Sequence, residues 1–147
     1  MDDDFLAVLA HAQIYLESAE ANRDRGARWL PVAYDEARHA AELAGKALLL
    51  RKTGSYPKRG KAGHRIGSLL AREGLVPRGL DFLDLNGLLD HHTRGAYGFG
   101  RPFGAHEVEI AIETARAMTE AALGWPDAKF QPPLPGEAYE TDSSDSM

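Results

Sequence analysis

Ala33-Tyr34-Asp35-Glu36-Ala37-Arg38-His39-Ala40-Ala41-Glu42-Leu43-Ala44-Gly45-Lys46-Ala47-Leu48-Leu49-Leu50 is a helical stretch built largely from small side chains. Ala33, Ala37, Ala40, Ala41, Ala44, Gly45 and Ala47 let another backbone come close, and Leu43, Leu48, Leu49 and Leu50 add bulk towards the end. Such a face belongs either in the centre of a bundle or, in addition, against a second copy of the chain. Pro31 suits a first helical turn. Arg51 and Lys52 suit a last turn, and Gly54 a stop just beyond it, so the spacing predicts a helix over 31–52.

Two further helices flank this one. Phe5, Leu9, Ala12, Leu16 and Ala19 repeat with 4,3,4,3 spacing, which places them on one stripe of a helix over 4–24. Asp2, Asp3 and Asp4 complement its N-terminus, and Gly26 follows its end. Val108, Ile112, Ala115, Thr119 and Ala122 keep the same spacing over 105–123, before Gly124 and Pro126. A short helix carries Ile66, Leu69 and Leu70 up to Gly74. A fourth runs from near Leu80 through Leu83, Leu85, Leu88 and Leu89 into Asp90-His91-His92. No segment alternates with period two over strand length. The fold class is therefore all-α, an antiparallel bundle of about five helices, four long or medium and one short. The bundle is assigned to residues 1–125. Residues 126–147 form a Pro-rich and then acidic tail, expected to be disordered from Thr141 onward.

The 147 residues suffice for one domain. The absence of cysteine excludes disulfides, thiolate zinc sites and cysteine nucleophiles. No apolar run approaches 18 residues, and the acidic start is unlike a basic secretory signal, so no membrane association and a cytoplasmic location are expected. The net charge of −5 hides a segregation. Residues 51–78 hold eight basic residues and one acid, net +7, while the rest holds nine basic residues and 21 acids, net −12. A block of one sign inside a chain of the other points to a polyanionic partner, or to a solvated loop that offsets the acidic helices.

Motifs for enzyme chemistry are incomplete. Gly54 to Lys61 has five residues between its glycines and Ala62 after the lysine, so it is not a magnesium-holding phosphate loop. Glu36 and His39 have the spacing of two ligands on one helical face, but the motif occurs once where a di-iron bundle needs it twice. His91 and His92 are adjacent and would point about 100° apart on a helix. No metal and no cofactor are assigned.

The stretch 33–50, with Glu42-Leu43-Ala44-Gly45-Lys46-Ala47-Leu48-Leu49 at its centre, resembles the second helix of HEPN domains, helical domains found beside prokaryotic nucleotidyltransferases and in toxin and defence systems. Gly54-Ser55-Tyr56-Pro57-Lys58 with His64 before a leucine-rich helix is similar to the connection that follows in that family. Leu88 to Tyr97, with Thr93-Arg94 before an alanine-rich last helix, is similar to its Thr-Arg-Tyr segment, although Gly95-Ala96 here separates Arg94 from Tyr97. The resemblance covers about residues 5 to 123. It implies a bundle of about five helices and a homodimer. In some members it implies a metal-independent endoribonuclease in which an Arg is followed by a His after four to six residues.

That nuclease motif is not intact in this chain. Arg94 matches the family arginine, but no His follows it within six residues, and His91 and His92 precede it. Arg101 and His106 have the spacing, but Pro102 and Gly104 interrupt it. The candidate catalytic set is thus Arg94, His91 and His92, with Arg101 and His106 as the alternative. Lys58, Arg59, Lys61, His64 and Arg65 are the candidate anion-binding residues. Tyr97, Phe99 and Phe103 are candidates for base stacking, or else fasten a Gly-rich loop to the bundle. The resemblance and the charge block imply a nucleotide- or RNA-associated module that works with a separate protein such as a nucleotidyltransferase, in a toxin–antitoxin or defence-like role. Whether it is an enzyme is left open: the alternatives are a metal-independent endoribonuclease with a composite site at a dimer interface, and a non-catalytic structural dimer or assembly subunit.

Overall fold

The computed structural model describes residues 2–55, 66–89 and 104–133. Helix α1 spans Asp2–Asp24, α2 Leu30–Thr53, α3 Ile66–Arg72, α4 Phe82–Leu89 and α5 Ala105–Leu123, with a single 3-10 turn at Ala27–Trp29 ahead of α2. No β-strand occurs among the described residues; one isolated bridge pairs Pro77 with Phe130. The all-α bundle expected from helical spacing is the fold observed.

Helix α2 is the central element and packs against α1, α3, α4 and α5. Its small residues explain why it can. Ala33, Ala37, Ala40, Ala41, Ala44 and Ala47 are fully buried within the chain. The small face is therefore covered by the chain's own helices, and its small side chains need no second copy to account for them. At Gly45 a Cβ would lie 3.0 Å from Leu70 Cδ1 and 3.4 Å from Ile66 Cγ2, so the missing side chain lets α3 sit directly on α2.

The stripes on α1 and α5 face this centre. Phe5, Leu9, Ala12 and Ala19 are buried, as are Val108, Ile112, Ala115, Thr119 and Ala122. Thr119 satisfies its buried hydroxyl by donating to the carbonyl of Ala115 at 2.8 Å. The core falls into two clusters along α2. One gathers Phe5, Leu9, Leu48, Leu70, Leu85 and Met118, and the other Leu30, Tyr34, Ala37, Leu88, Val108 and Ile112. Leu89 of α4 packs against both.

Helix ends follow local chemistry. Gly54 takes φ 86° and ψ −3°, and its N–H donates to the carbonyl of Leu50 at 2.9 Å, closing α2 in the left-handed conformation that glycine adopts most cheaply. A Cβ there would meet nothing within 4 Å, so only backbone conformation opposes substitution. Gly54→Ala should lower the unfolding free energy by about 1 kcal/mol, and Gly54→Asn by less, in urea melts of the two variants. Equal stability of Gly54→Ala and the parent would contradict the capping account.

Helix α4 begins at Phe82 rather than near Leu80. The Leu80 N–H is engaged by the Pro77 carbonyl at 3.1 Å, and the Asp81 carboxylate accepts the Leu83 N–H at 2.8 Å, so Asp81 is the cap and the turn extends to it. The expected continuation of this helix through Asp90-His91-His92 lies outside the described residues.

Beyond α5, the chain returns across the α3–α4 turn. Lys129 O accepts the Arg78 N–H at 3.0 Å, and Gln131 donates its N–H to Val76 O at 2.8 Å and its side-chain amide to the carbonyls of Pro77 and Leu80. Phe130 and Trp125 pack on the core, and Pro133 lies against Gly74.

Candidate nucleic-acid interface

The candidate residues fall in two segments, one joining α2 to α3 and the other joining α4 to α5. Residues 56–65 hold Lys58, Arg59, Lys61, His64 and Arg65, and connect Ser55, next to the α2 terminus, to Ile66 at the start of α3. Residues 90–103 hold His91, His92, Arg94, Tyr97, Phe99, Arg101 and Phe103, and connect Leu89 of α4 to Gly104 before α5. All of these side chains lie outside the described residues. Their anchors do not. The α4 and α5 residues that flank the second segment border a cleft with Tyr34, twenty residues before Gly54 on α2, which is about 30 Å along the helix axis.

The end that anchors the first segment is basic. Arg51 and Lys52 occupy the last turn of α2, where cations complement free carbonyls. The Arg51 guanidinium carbon lies 4.5 Å from the ring centroid of Phe5, a cation–π contact that ties α2 to the start of α1. Lys52 donates its ammonium to the carbonyl of Glu73 at 2.9 Å, which ties the end of α2 to the end of α3. Arg72 in the last turn of α3 and Arg78 beyond it are both exposed. The 56–65 connection, with four Lys or Arg residues and no acid, thus follows Arg51 and Lys52 and leads into the helix that ends at Arg72.

The other end has a different character. His106 is exposed in the first turn of α5. The neighbouring Glu107 carboxylate accepts the Gly104 N–H at 2.9 Å, the one half of a capping box that a glycine N-cap allows, and it puts a negative charge in the same helical turn as His106. An open cleft of about 260 Å³ between α2, α4 and α5 is lined by Tyr34, Asp84, Leu88, Glu107 and Ile110 among others. Its described lining carries two carboxylates and no cation, so these residues do not themselves form a phosphate site.

Glu36 and His39 are engaged separately. Both Glu36 carboxylate oxygens accept bonds from α1 at 2.7 Å, one from the Ser18 hydroxyl and one from the Asn22 amide. His39 stacks on Tyr15, with ring centroids 5.2 Å apart and planes 23° apart. Among the described residues no group of three His, Cys, Asp or Glu side chains converges to hold a metal.

Two clusters escape inspection of motifs alone. Arg38 is mostly buried, pairs with Glu42 at 3.0 Å and Asp35 at 3.6 Å, and lies 3.1 Å from His39 Nε2. Its Nε is buried without a hydrogen-bond partner. The 3,4,4 spacing of Asp35, Arg38, Glu42 and Lys46 was the available signal for the ion-pair ladder, but the stacking on Tyr15 depends on how α1 meets α2. At the α1–α2 turn, the Arg25 guanidinium carbon lies 3.5 Å from the ring centroid of Trp29. Nearby Arg23 pairs with Asp24 and Glu109, each at 3.0 Å, and its hydrogen bond to Asp24 holds its pKa above the ordinary arginine value.

These features define a helical bundle with no strand among its described residues, with Arg51, Lys52 and Arg72 at the joined ends of α2 and α3 and Arg23, Arg25 and Arg28 at the α1–α2 turn. A sequence model of the HEPN domain family matches residues 6–125, and the chain belongs to that family. Comparison with curated proteins and with solved structures finds no match.

Proposed function

We propose that this HEPN-domain protein is a nucleotide- or RNA-associated module that binds polyanions through its 51–78 segment and acts with a separate protein such as a nucleotidyltransferase, in a toxin–antitoxin or defence-like setting. It works as a homodimer in the cytoplasm, and the bundle supplies binding rather than cleavage. The observation that carries this reading is the joining of the 56–65 connection, with four Lys or Arg residues and no acid, to a bundle end whose described cations, Lys52, Arg72 and Arg78, have no carboxylate ion-pair partner among the described residues. Guanidinium and ammonium groups that are not neutralised at home are available to phosphate oxygens. Family membership supports the same reading, because HEPN domains are helical modules of nucleotide- and RNA-related systems.

Binding of this kind releases counterions, so affinity falls with salt by a log–log slope of about 0.7 per phosphate contacted on a single strand. Titration of a fluorescent 12-nucleotide single-stranded RNA into the protein should show binding at 50 mM salt that weakens steeply by 200 mM. Affinity that does not change with salt, or no binding at 50 mM, would count against the reading.

A further inference from the structure

We propose that the acidic residues 134–147 dock on the basic end of the same chain, at Lys52, Arg72 and Arg78, and compete there with external polyanions. The chain leaves the described fold at Pro133. Pro133 lies against Gly74, with its ring carbons 3.0 and 3.4 Å from where a Gly74 Cβ would be. The residue before Gly74 is Glu73, whose carbonyl holds the Lys52 ammonium at 2.9 Å. Arg72 is one residue further back, and Arg78 is held to Lys129 through its backbone. The exit thus lies beside Gly74, next in sequence to the Glu73 carbonyl that holds Lys52 and two residues from Arg72, with Arg78 and Lys129 paired through their backbone further along; all four cations are exposed, and Glu73 is the only acid of segment 51–78.

The exit is fixed in place by the bonds of Gln131 and the Pro77–Phe130 bridge. The next fourteen residues contain Glu137, Glu140, Asp142 and Asp145 and no Lys or Arg, a net charge of −4. Fourteen residues have a random-coil root-mean-square span of about 20 Å, enough to reach across the end of a bundle from an attachment point on its rim. Tethering makes the encounter intramolecular, at an effective concentration in the millimolar range, so weak exposed pairs that would not hold a free peptide suffice to bias the tail. Docking itself is argued from charge and exit geometry; only the competition with RNA rests on the function proposed above.

The absence of cysteine allows a clean test on the full chain. A nitroxide is attached at Ser146→Cys, and amide signal loss is read by nuclear magnetic resonance. Amides of Lys52, Arg72 and Arg78 should lose intensity at about 20 mM salt and regain it near 500 mM, where screening acts within a few ångströms. A second protein, with Glu137→Gln, Glu140→Gln, Asp142→Asn and Asp145→Asn added, keeps the tether and removes the charge, and it should show a markedly smaller loss that does not change with salt. Equal signal loss in both proteins, loss in neither, or loss seen only between different molecules in a mixed-isotope sample would overturn the proposal. The charge-neutral tail should also tighten RNA binding by about three- to tenfold; equal RNA affinity would overturn the competition. If RNA binds neither protein while the charge-dependent signal loss is present, docking stands and the nucleic-acid reading falls.

Discussion

Leu48→Ala should lower the free energy of unfolding by about 2–5 kcal/mol, the range observed when a fully buried leucine is truncated in a well-packed core. Leu48 is completely buried in the cluster with Phe5, Leu9, Leu70, Leu85 and Met118, on α2, which packs against α1, α3, α4 and α5. In the turn of α2 before it stand Ala44, Gly45 and Ala47, which have no long side chain to swing into the space, and Leu49 and Leu50 are already buried in the same cluster. The cavity term should therefore add to the lost transfer energy, and the result should fall in the upper half of the range. Against a total stability of about 5–15 kcal/mol, this is a large fraction. Urea melts followed by circular dichroism give the difference directly, through a lower midpoint at unchanged slope. A loss below about 1 kcal/mol would mean that α2 is not the packed centre of the bundle.

Lys58→Glu, Arg59→Glu and Lys61→Glu together should weaken single-stranded RNA binding at 50 mM salt by about a hundredfold. The substitutions change the charge of the 51–78 segment from +7 to +1, so three phosphate contacts are lost and three repulsions are gained. The three side chains are long and charged and lie in a connection with glycines and a proline, a composition suited to solvent rather than to a core. The unfolding transition should stay within about 0.5 kcal/mol of the parent, as for surface substitutions in general. This pairing separates the binding reading from an assembly subunit, for which the same charges would alter solubility and leave RNA indifferent.

The legible part of the fold was the part written in helical spacing. The last helix occupies 105–123 as expected, because an unbroken apolar stripe is bounded by Gly104 and Gly124. The 3-10 turn at Ala27–Trp29 has too few residues to carry a period, and the start of α4 depended on whether Leu80 or Asp81 ended the preceding turn. Side-chain partners across helices were less legible. Glu36 and His39 share a helical face by spacing, but what each touches, Ser18 and Asn22 for one and Tyr15 for the other, is set by the register of α1 on α2. Charge segregation was visible as a count. Its placement at the joined ends of α2 and α3 required Lys52 to meet Glu73, twenty-one residues away.

The most direct test of the central claim compares the salt dependence of RNA binding in the parent and in the triple glutamate variant. If the 51–78 segment contacts phosphate through these three side chains, the slope of log affinity against log salt should become shallower by about two, at about 0.7 per contact. Parallel slopes with equal affinities would place any RNA contact elsewhere and contradict the account.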